Sequence, residues 1–325
     1  MNRLVKTDCL NPYRNLALEE LLFDTQGQGM TLYLWRNRNT VVIGRNQNAW
    51  KECRVDLIDS ENGFIARRTT GGGAVFHDVN NLNFTFIADK GTYDLSRQLS
   101  VILSALSSLS IEAEFSGRND IITKDGAKFS GNAFRHSRTV SMQHGTLLVD
   151  VDMSRLSRYL APSKEKLKSK GVDSVRSRVC NLKELSPSLT VEKLSAALED
   201  AFIREYGEAD RIDDKMLDAA KLDKLEKLEK RFASWEWRLG ETPSFDTELE
   251  RRFPWGGVQL LLHTASGIVE ECAAYSDAMD EQFIAALPSM LRGCRYDGRT
   301  LGAAVIAYDT NEARDVAEWL TEVGK

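Results

Sequence analysis

The 325-residue sequence is poor in the residues that staple small folds: it has five cysteines, with no CxxC pair, and six prolines. The cysteines stand at 9, 53, 180, 272 and 294, an odd and scattered set. That usage suits free thiols in a reducing compartment and excludes a disulfide framework. Only four histidines occur (His77, His136, His144, His263), in no HExxH or other close ligand spacing, so a zinc site built by the protein is not expected. No apolar run approaches the roughly 18 residues of a transmembrane helix, and the start lacks the basic-then-apolar layout of a signal peptide. Positive charge is not in excess either: 43 Lys and Arg face 48 Asp and Glu, for a net charge of −5. Such a balance argues against binding nucleic acid through bulk electrostatics. The expectation is a cytoplasmic protein, a monomer by default, that engages neither membrane nor nucleic acid.

What is present is enough for a large core. At 42% hydrophobic and 28% charged, the chain is ordinary for a globular protein, and its length accommodates two domains. Asn11-Pro12 offers a helix cap followed by proline at the first helical position. Strand-like runs follow at Thr31–Trp35, Thr40–Ile43 and Phe64–Arg67. A glycine-rich turn, a short Ala74-Val75-Phe76 strand and the alternating Leu82–Ile87 come next. Asn80-Asn81 reads as a tight hairpin turn between those last two strands. Helical spacing covers Tyr93–Leu109, and strands are expected over Asp120–Lys124, Ala127–Ala133 and Thr139–Asp150. This interleaving predicts a mixed sheet with flanking helices, an α+β class. Between Asp213 and Arg231 a charged segment places Leu222, Leu225, Leu228 and Phe232 on one helical face. Beyond Pro243, a hairpin around Thr264-Ala-Ser-Gly267 and two helical stretches, Glu281–Leu291 and Asn311–Val323, suggest a small α+β domain.

Three segments carry chemistry. The first is Ala66-Arg-Arg-Thr-Thr-Gly-Gly-Gly-Ala-Val-Phe-His-Asp78. Consecutive glycines cost backbone entropy and mark a close approach of the chain to something. Their amides can form an anion-holding nest, with Arg67 and Arg68 as adjacent fixed charge. No GK[ST] follows, so this is not a Walker loop, and the glycines lead into a strand, unlike a dinucleotide fingerprint. A flexible surface turn is the plainer reading; the two arginines favour anion binding. The second segment pairs Ser116-Gly-Arg-Asn-Asp120 with Lys128-Phe-Ser-Gly-Asn-Ala133. Lys128 is either an exposed charge or a cleft cation that neutralises a phosphoryl or acyl group. The third is Lys170–Leu182, where Arg176 and Arg178 form a basic surface loop or close over an anion. A nucleotide or acyl-phosphate site on an enzyme is as far as residue types alone lead.

In their order, these segments resemble the lipoate–protein ligase A family. The resemblance is carried by LWRNRNTVVIGRNQNAWKEC (34–53), ARRTTGGGAVFHD (66–78), SGRNDI (116–121), KFSGNAF (128–134), HGTLL (144–148) and GVDSVRSRVCNL (171–182). FASWEWRLG (232–240) and WGGVQL (255–260) extend it towards the C-terminus. It implies a mixed-sheet biotin/lipoate ligase catalytic domain, like that of class II aminoacyl-tRNA synthetases, over 1–242, with an α+β accessory domain over 243–325. It further implies that lipoate and MgATP form lipoyl-AMP, whose acyl group then passes to a lysine of an apo lipoyl domain. The acceptors would be 2-oxoacid dehydrogenase acyltransferase subunits and the glycine-cleavage H protein.

Carried across by position, the resemblance makes Lys128 the central catalytic residue. Arg68, Gly73, Ala74, Val75, Phe76, Asn81, Asp120 and Lys128 would contact ATP, and Asp120 is a candidate Mg²⁺ contact. Lys128, Arg68, Thr70, Gly72, His77 and Trp35 would contact lipoate, with Leu16 and Val42 as further guesses for an apolar slot. Arg176 and Arg178 are candidate lid residues. Asn80 stands where the family has Gly, and a left-handed Asn would accommodate the change. A transferase of the same fold using a premade acyl donor is the alternative. Many such enzymes use a cysteine nucleophile, and no cysteine lies between Cys53 and Cys180. Biotin ligation and a non-catalytic binder of lipoyl domains fit the motifs less well.

Overall fold

The computed structural model describes the chain except for residues 117–119, 161–178, 214–216, 240–246, 266 and 323–325, and the side chains of residues 50 and 51. Two compact units are present. The first comprises Met1–Val42, Cys53–Arg67 and Val75–Arg238; the second comprises Ile43–Glu52, Arg68–Ala74 and Leu239–Lys325.

In chain order, the strands of the first unit are β1 (Asn2–Lys6), β2 (Met30–Trp35), β3 (Thr40–Ile43), β4 (Phe64–Arg67), β5 (Val75–His77), β6 (Asn81–Asp89), β7 (Ala113–Phe115), β8 (Asp120–Thr123), β9 (Lys128–His136), β10 (Val140–Leu148) and β11 (Ala209–Asp213). Eight of them form one mixed sheet in the order β11-β1-β2-β6-β10-β9-β8-β7, and β4-β3-β5 form a small second sheet. β1 runs parallel to both β11 and β2, while β2, β6, β10, β9, β8 and β7 pair antiparallel. The expected mixed sheet with flanking helices is therefore what forms.

Register explains why β6 is buried along nearly its whole length. Leu32, Phe86 and Gln143 lie opposite one another across β2, β6 and β10, as do Tyr33, Thr85 and His144 on the other face. The first face packs on the helices Leu95–Ser108 and Val191–Tyr206, sharing a core with Ile102, Leu106, Leu198 and Phe202. The second face carries Tyr33, Trp35, Ile87 and Met142 against the helices Pro12–Asp24 and Ala219–Ala233. Asn11 caps the Pro12–Asp24 helix by accepting from the Tyr13 amide. From Asn15 to Phe23 every residue of that helix is buried, Glu19 and Glu20 included. The amphipathic segment near 213–231 is helical over Ala219–Ala233, with Leu225 and Phe232 buried.

One expectation fails here. β5 and β6 are not a hairpin: β5 pairs with β3 in the small sheet, and β6 lies between β2 and β10 in the large one. The link between them is a turn closed by Asn81 N to Asp78 O (3.1 Å), with Asp78 Oδ1 accepting from Asn80 N (2.8 Å). Asn80 is not among the residues of positive φ, so the left-handed conformation expected of it is not used. The aspartate side chain, by mimicking a turn of backbone, removes the need for it.

The second unit has a three-stranded antiparallel sheet, β12 (Thr247–Phe253), β13 (Gly256–Ala265) and β14 (Ile268–Ser276). Three helices, Glu281–Leu291, Gly298–Ile306 and Asn311–Leu320, bury Phe283, Leu287, Leu301, Val316 and Leu320 against Val258, Leu260 and Leu262. The β13–β14 hairpin and the first and last helices follow the sequence pattern; β12 and the middle helix were not anticipated. Among the described residues no helix is long and apolar enough to cross a membrane.

Candidate functional site

Lys128 opens β9, and a register shift decides which way it faces. Ile121 of β8 lies opposite Ser130, yet the next residue, Ile122, lies opposite Lys128, so Phe129 is an extra residue in β9. Such a bulge flips the alternation of side chains. Phe129 and Ser130 are 0% and 1% exposed, with Phe129 in the core beneath the sheet, while Lys128 is turned to the opposite face. There its ammonium lies over Gly131: a Cβ built on that glycine would stand 3.3 Å from Lys128 Nζ. Asp120, opposite Gly131 in register, holds the ammonium at 2.7 Å. The backbone is pinned as well, since Lys128 O accepts from Cys180 N at 2.9 Å. Lys128 and Asp120, singled out by position in the sequence, are thus brought together.

The same sheet face carries a graded row of polar groups. Asn83 of β6 lies between Trp35 and Thr146 in register, and Asn81 lies two residues along β6. Asn81 Nδ2 donates to Asn83 Oδ1 at 2.9 Å; the remaining amide atoms, Asn81 Oδ1 and Asn83 Nδ2, find no partner among the described residues. Trp35 Nε1 donates to Thr85 Oγ1 (3.0 Å), which donates to Glu19 Oε1 (2.7 Å), which in turn faces His144 Nδ1 at 2.8 Å. Burial pushes the Glu19 carboxyl up, but the His144 charge, hydrogen bonds from His144 and Thr85, and Arg135 together hold it below the usual range. Trp35 is therefore oriented by a buried ionic network. Leu16, expected in the apolar slot, belongs to the same buried cluster as Trp35.

His77 ends β5, buried, with the Trp35 ring edge-on at 6.3 Å and Asn37 Nδ2 at 3.2 Å from Nδ1. Phe76 packs on Tyr159 at 5.5 Å, so its side chain serves packing and only its backbone is left for a ligand.

The glycine turn belongs to the second unit and is built differently from expectation. Arg68 is 7% exposed, and its guanidinium turns inward. Nε donates to Thr70 Oγ1 (3.0 Å), and Nη2 donates to Gly71 O (2.7 Å) and Gly73 O (2.9 Å). Two of the three glycines meet protein. A Cβ on Gly71 would stand 2.5 Å from Ala278 O, and Gly72, at φ +90°, donates its amide to that same oxygen at 2.9 Å. Val42, expected in the apolar slot, is buried and pairs with Val75 in the small sheet. Around Gly73 nothing lies within 4 Å of a built Cβ, and Gly73, Ala74 and Val75 keep partial exposure. With the turn's carbonyls held by Arg68, this open stretch is where amides can face an anion. Arg67, also read as a source of fixed charge, instead donates to the carbonyls of Trp237 and Arg238.

Arg176 and Arg178 lie outside the described residues. Among those described, no three His, Cys, Asp or Glu side chains gather into a group that could hold a metal, and Asp120 is committed to Lys128. Reasoning from sequence missed Glu19, Thr85 and Gly131. A helix-borne glutamate gives no local sign of burial, whereas a glycine three residues after a lysine was visible but unread.

Comparison with known proteins bears on the family and the fold. The family described as the lipoyl protein ligase A/B catalytic domain matches residues 11–203, and that described as the bacterial lipoate protein ligase C-terminus matches residues 242–320. LipL1 of P. falciparum, solved in complex with lipoate, is 28% identical with a TM-score of 0.87, over 99% of this chain and 100% of that one. A bi-partite lipoate protein ligase of Thermoplasma acidophilum, analysed with its E2 lipoyl domain, is 24% identical over 76% of this chain and 99% of that one, with a TM-score of 0.65. A lipoate-protein ligase A bound with ATP is 23% identical over 74% and 98%, with a TM-score of 0.61. The last two are likenesses of fold.

Proposed function

This chain belongs to the lipoyl protein ligase A/B catalytic domain family, and from that premise we propose that it is an ATP-dependent, AMP-forming lipoate–protein ligase. The carboxylate of lipoate attacks the α-phosphorus of ATP, and pyrophosphate leaves. The ε-amine of an acceptor lysine then attacks the acyl carbon of lipoyl-AMP, forming an amide and releasing AMP. The observation that carries this reading is the placement of Lys128, turned by the Phe129 bulge onto the polar face, aimed by Asp120 and given room by Gly131.

The first step brings two anions together, so a fixed cation at the point of attack stabilises the transition state more than the ground state and lowers the barrier. Lys128 supplies it, and the amides from Gly73 to Val75 are suited to phosphate oxygens. Arg68 acts by shaping that turn through Gly71 and Gly73. Trp35, with Leu16 near it, suits the apolar acyl chain. Magnesium enters as part of the MgATP substrate. The catalytic portion is taken as 1–242 and the accessory portion as 243–325, with apo lipoyl domains as acceptors. Five free thiols suit a cytoplasmic setting.

A transferase using a premade acyl donor through a cysteine is less well supported. Cys180 is next to Lys128 by backbone, but its side chain is 5% exposed and belongs to the apolar core. A thiol in such surroundings is a poor nucleophile. The test uses purified protein, lipoate, MgATP and an apo lipoyl domain. Lipoate-dependent pyrophosphate release and lipoylation of the acceptor are expected; acceptor modification without ATP, or no pyrophosphate with lipoate, overturns the proposal.

A further inference from the structure

The buried amides behind His77 have an orientation that can be worked out donor by donor. Asn15 Nδ2 lies 2.9 Å from Cys9 O and 2.8 Å from Arg36 O. Backbone carbonyls only accept, so the atom between them must be the nitrogen, and the Asn15 amide has one orientation. The same Nδ2 is 3.0 Å from the Asn37 side chain; its two N–H are shared among three neighbours, and since an amide nitrogen cannot accept, the Asn37 atom facing it is Oδ1. With its oxygen fixed there, Asn37 turns Nδ2 towards His77 Nδ1 at 3.2 Å. An NH₂ group can only donate, so Nδ1 must offer its lone pair and the ring proton must sit on Nε2. Asn15 and Asn37 are both 0% exposed and His77 is 3% exposed, so water is not at hand to relax the assignment. The Trp35 and His77 rings pack in a T-shape, their centroids 6.3 Å apart.

We infer that Asn37, itself set by Asn15, is a positioning residue that holds His77 as the neutral Nε2–H tautomer. His77 is then a hydrogen-bond donor to an oxygen of the acyl or phosphoryl group, and it is not the base that deprotonates the acceptor amine. Its lone pair at Nδ1 is occupied by Asn37, and Nε2 already carries the proton. The part that concerns ligand rests on the ligase reading; the tautomer does not. Reversing the arrangement would require Asn37 to turn over against Asn15, and Asn15 to turn away from two carbonyls. The three groups therefore act as one unit.

The decisive experiment is long-range ¹H–¹⁵N correlation of the histidine rings in the full chain, with the His77 signals assigned by their loss in His77→Gln. A bare Nδ1 and a protonated Nε2 are expected. In Asn37→Asp the acceptor from Asn15 is kept but the donor to His77 becomes a carboxylate, so the proton should appear at Nδ1. A wild-type ring protonated at Nδ1, or an Asn37→Asp spectrum unchanged from wild type, overturns the inference. For the role at the site, glutamine keeps an N–H near the place of Nε2. His77→Gln should therefore retain about tenfold more lipoyl-AMP formation than His77→Ala, the worth of one hydrogen bond. Equal losses in the two variants refute the donor role. An absence of pyrophosphate release in wild type would remove the ligase reading while leaving the tautomer result standing.

Discussion

The turn at 68–74 and the strand at 128–131 each set a cation beside glycine, and they use the space in opposite ways. In the turn, Arg68 gives its donors to the carbonyls of Gly71 and Gly73, Gly71 makes room for the backbone of Ala278, and Gly72 donates its amide to Ala278 O. In the strand, Gly131 makes room for the ammonium of Lys128, which has one carboxylate beside it and remains partly exposed. Glycine reports that something comes close without saying what comes close. A charge consumed by the protein's own partners should appear in stability, and one held open should appear in rate.

The largest effect expected on that rule comes from the most completely consumed charge. Glu19 is 2% exposed and faces His144 and Thr85. Glu19→Ala leaves a buried partner uncompensated and should cost about 3–5 kcal/mol, measured by denaturant unfolding. The pH dependence has a defined sign. The folded carboxyl lies below its ordinary value of 4.5, so the contribution is in place above that value and is lost as pH falls through the lowered one. Wild type should lose more stability than Glu19→Gln on acidification. Equal acid sensitivity in the two proteins would remove Glu19 from the consumed class.

Lys128→Ala is the counterpart on the open side. Removal of one preorganised donor costs about 10²–10³ in turnover, here read as lipoate-dependent pyrophosphate release. The melting temperature should stay near that of wild type, because the ion pair with Asp120 is partly solvated. A variant that melts early with its turnover intact would reverse the contrast.

The two cations on either side of this division were legible before the fold was known, but the division itself was not. The glycine triplet, Lys128 and Asp120 stand out along the chain as candidate site residues, and the interleaved strands and helices give a mixed sheet. What could not be read is what depends on pairing. A bulge exists only relative to the partner strand, so the Ile121/Ile122 shift that turns Lys128 was invisible along β9 itself. β5 and β6 look like a hairpin locally and belong to different sheets because β5 finds β3. β1 and β11 pair across about two hundred residues, a contact with no local signal. Arg68 was expected to face ligand because a guanidinium suits phosphate; it also suits a ring of carbonyls, and residue type does not choose between them.

Within the turn the contrast can be sharpened one glycine at a time. Gly71→Ala drives a Cβ to 2.5 Å from Ala278 O and 2.8 Å from Met279 O, both backbone atoms that yield little. It should cost about 1–3 kcal/mol of stability, as overpacking does, and raise KM for ATP. Gly73→Ala enters open space, so its stability should change by no more than about 0.5 kcal/mol, and any effect should fall on ATP. Matching losses of stability in the two variants would mean that the triplet acts as a single flexible turn.

The smallest effect is the most discriminating. Gly131→Ala places a methyl 3.3 Å from Lys128 Nζ and 3.4 Å from Cε. Both atoms end a flexible side chain, so the backbone need not move and the melting temperature should be unchanged. The ammonium, however, must shift by some tenths of an ångström away from its place beside Asp120. Since a misplacement of about 1 Å can cost a hundredfold in rate, a loss of about tenfold in turnover is expected. Were Gly131→Ala to lose stability and keep its rate, that glycine would be of the same kind as Gly71, and the strand and the turn would no longer differ in what their glycines are for.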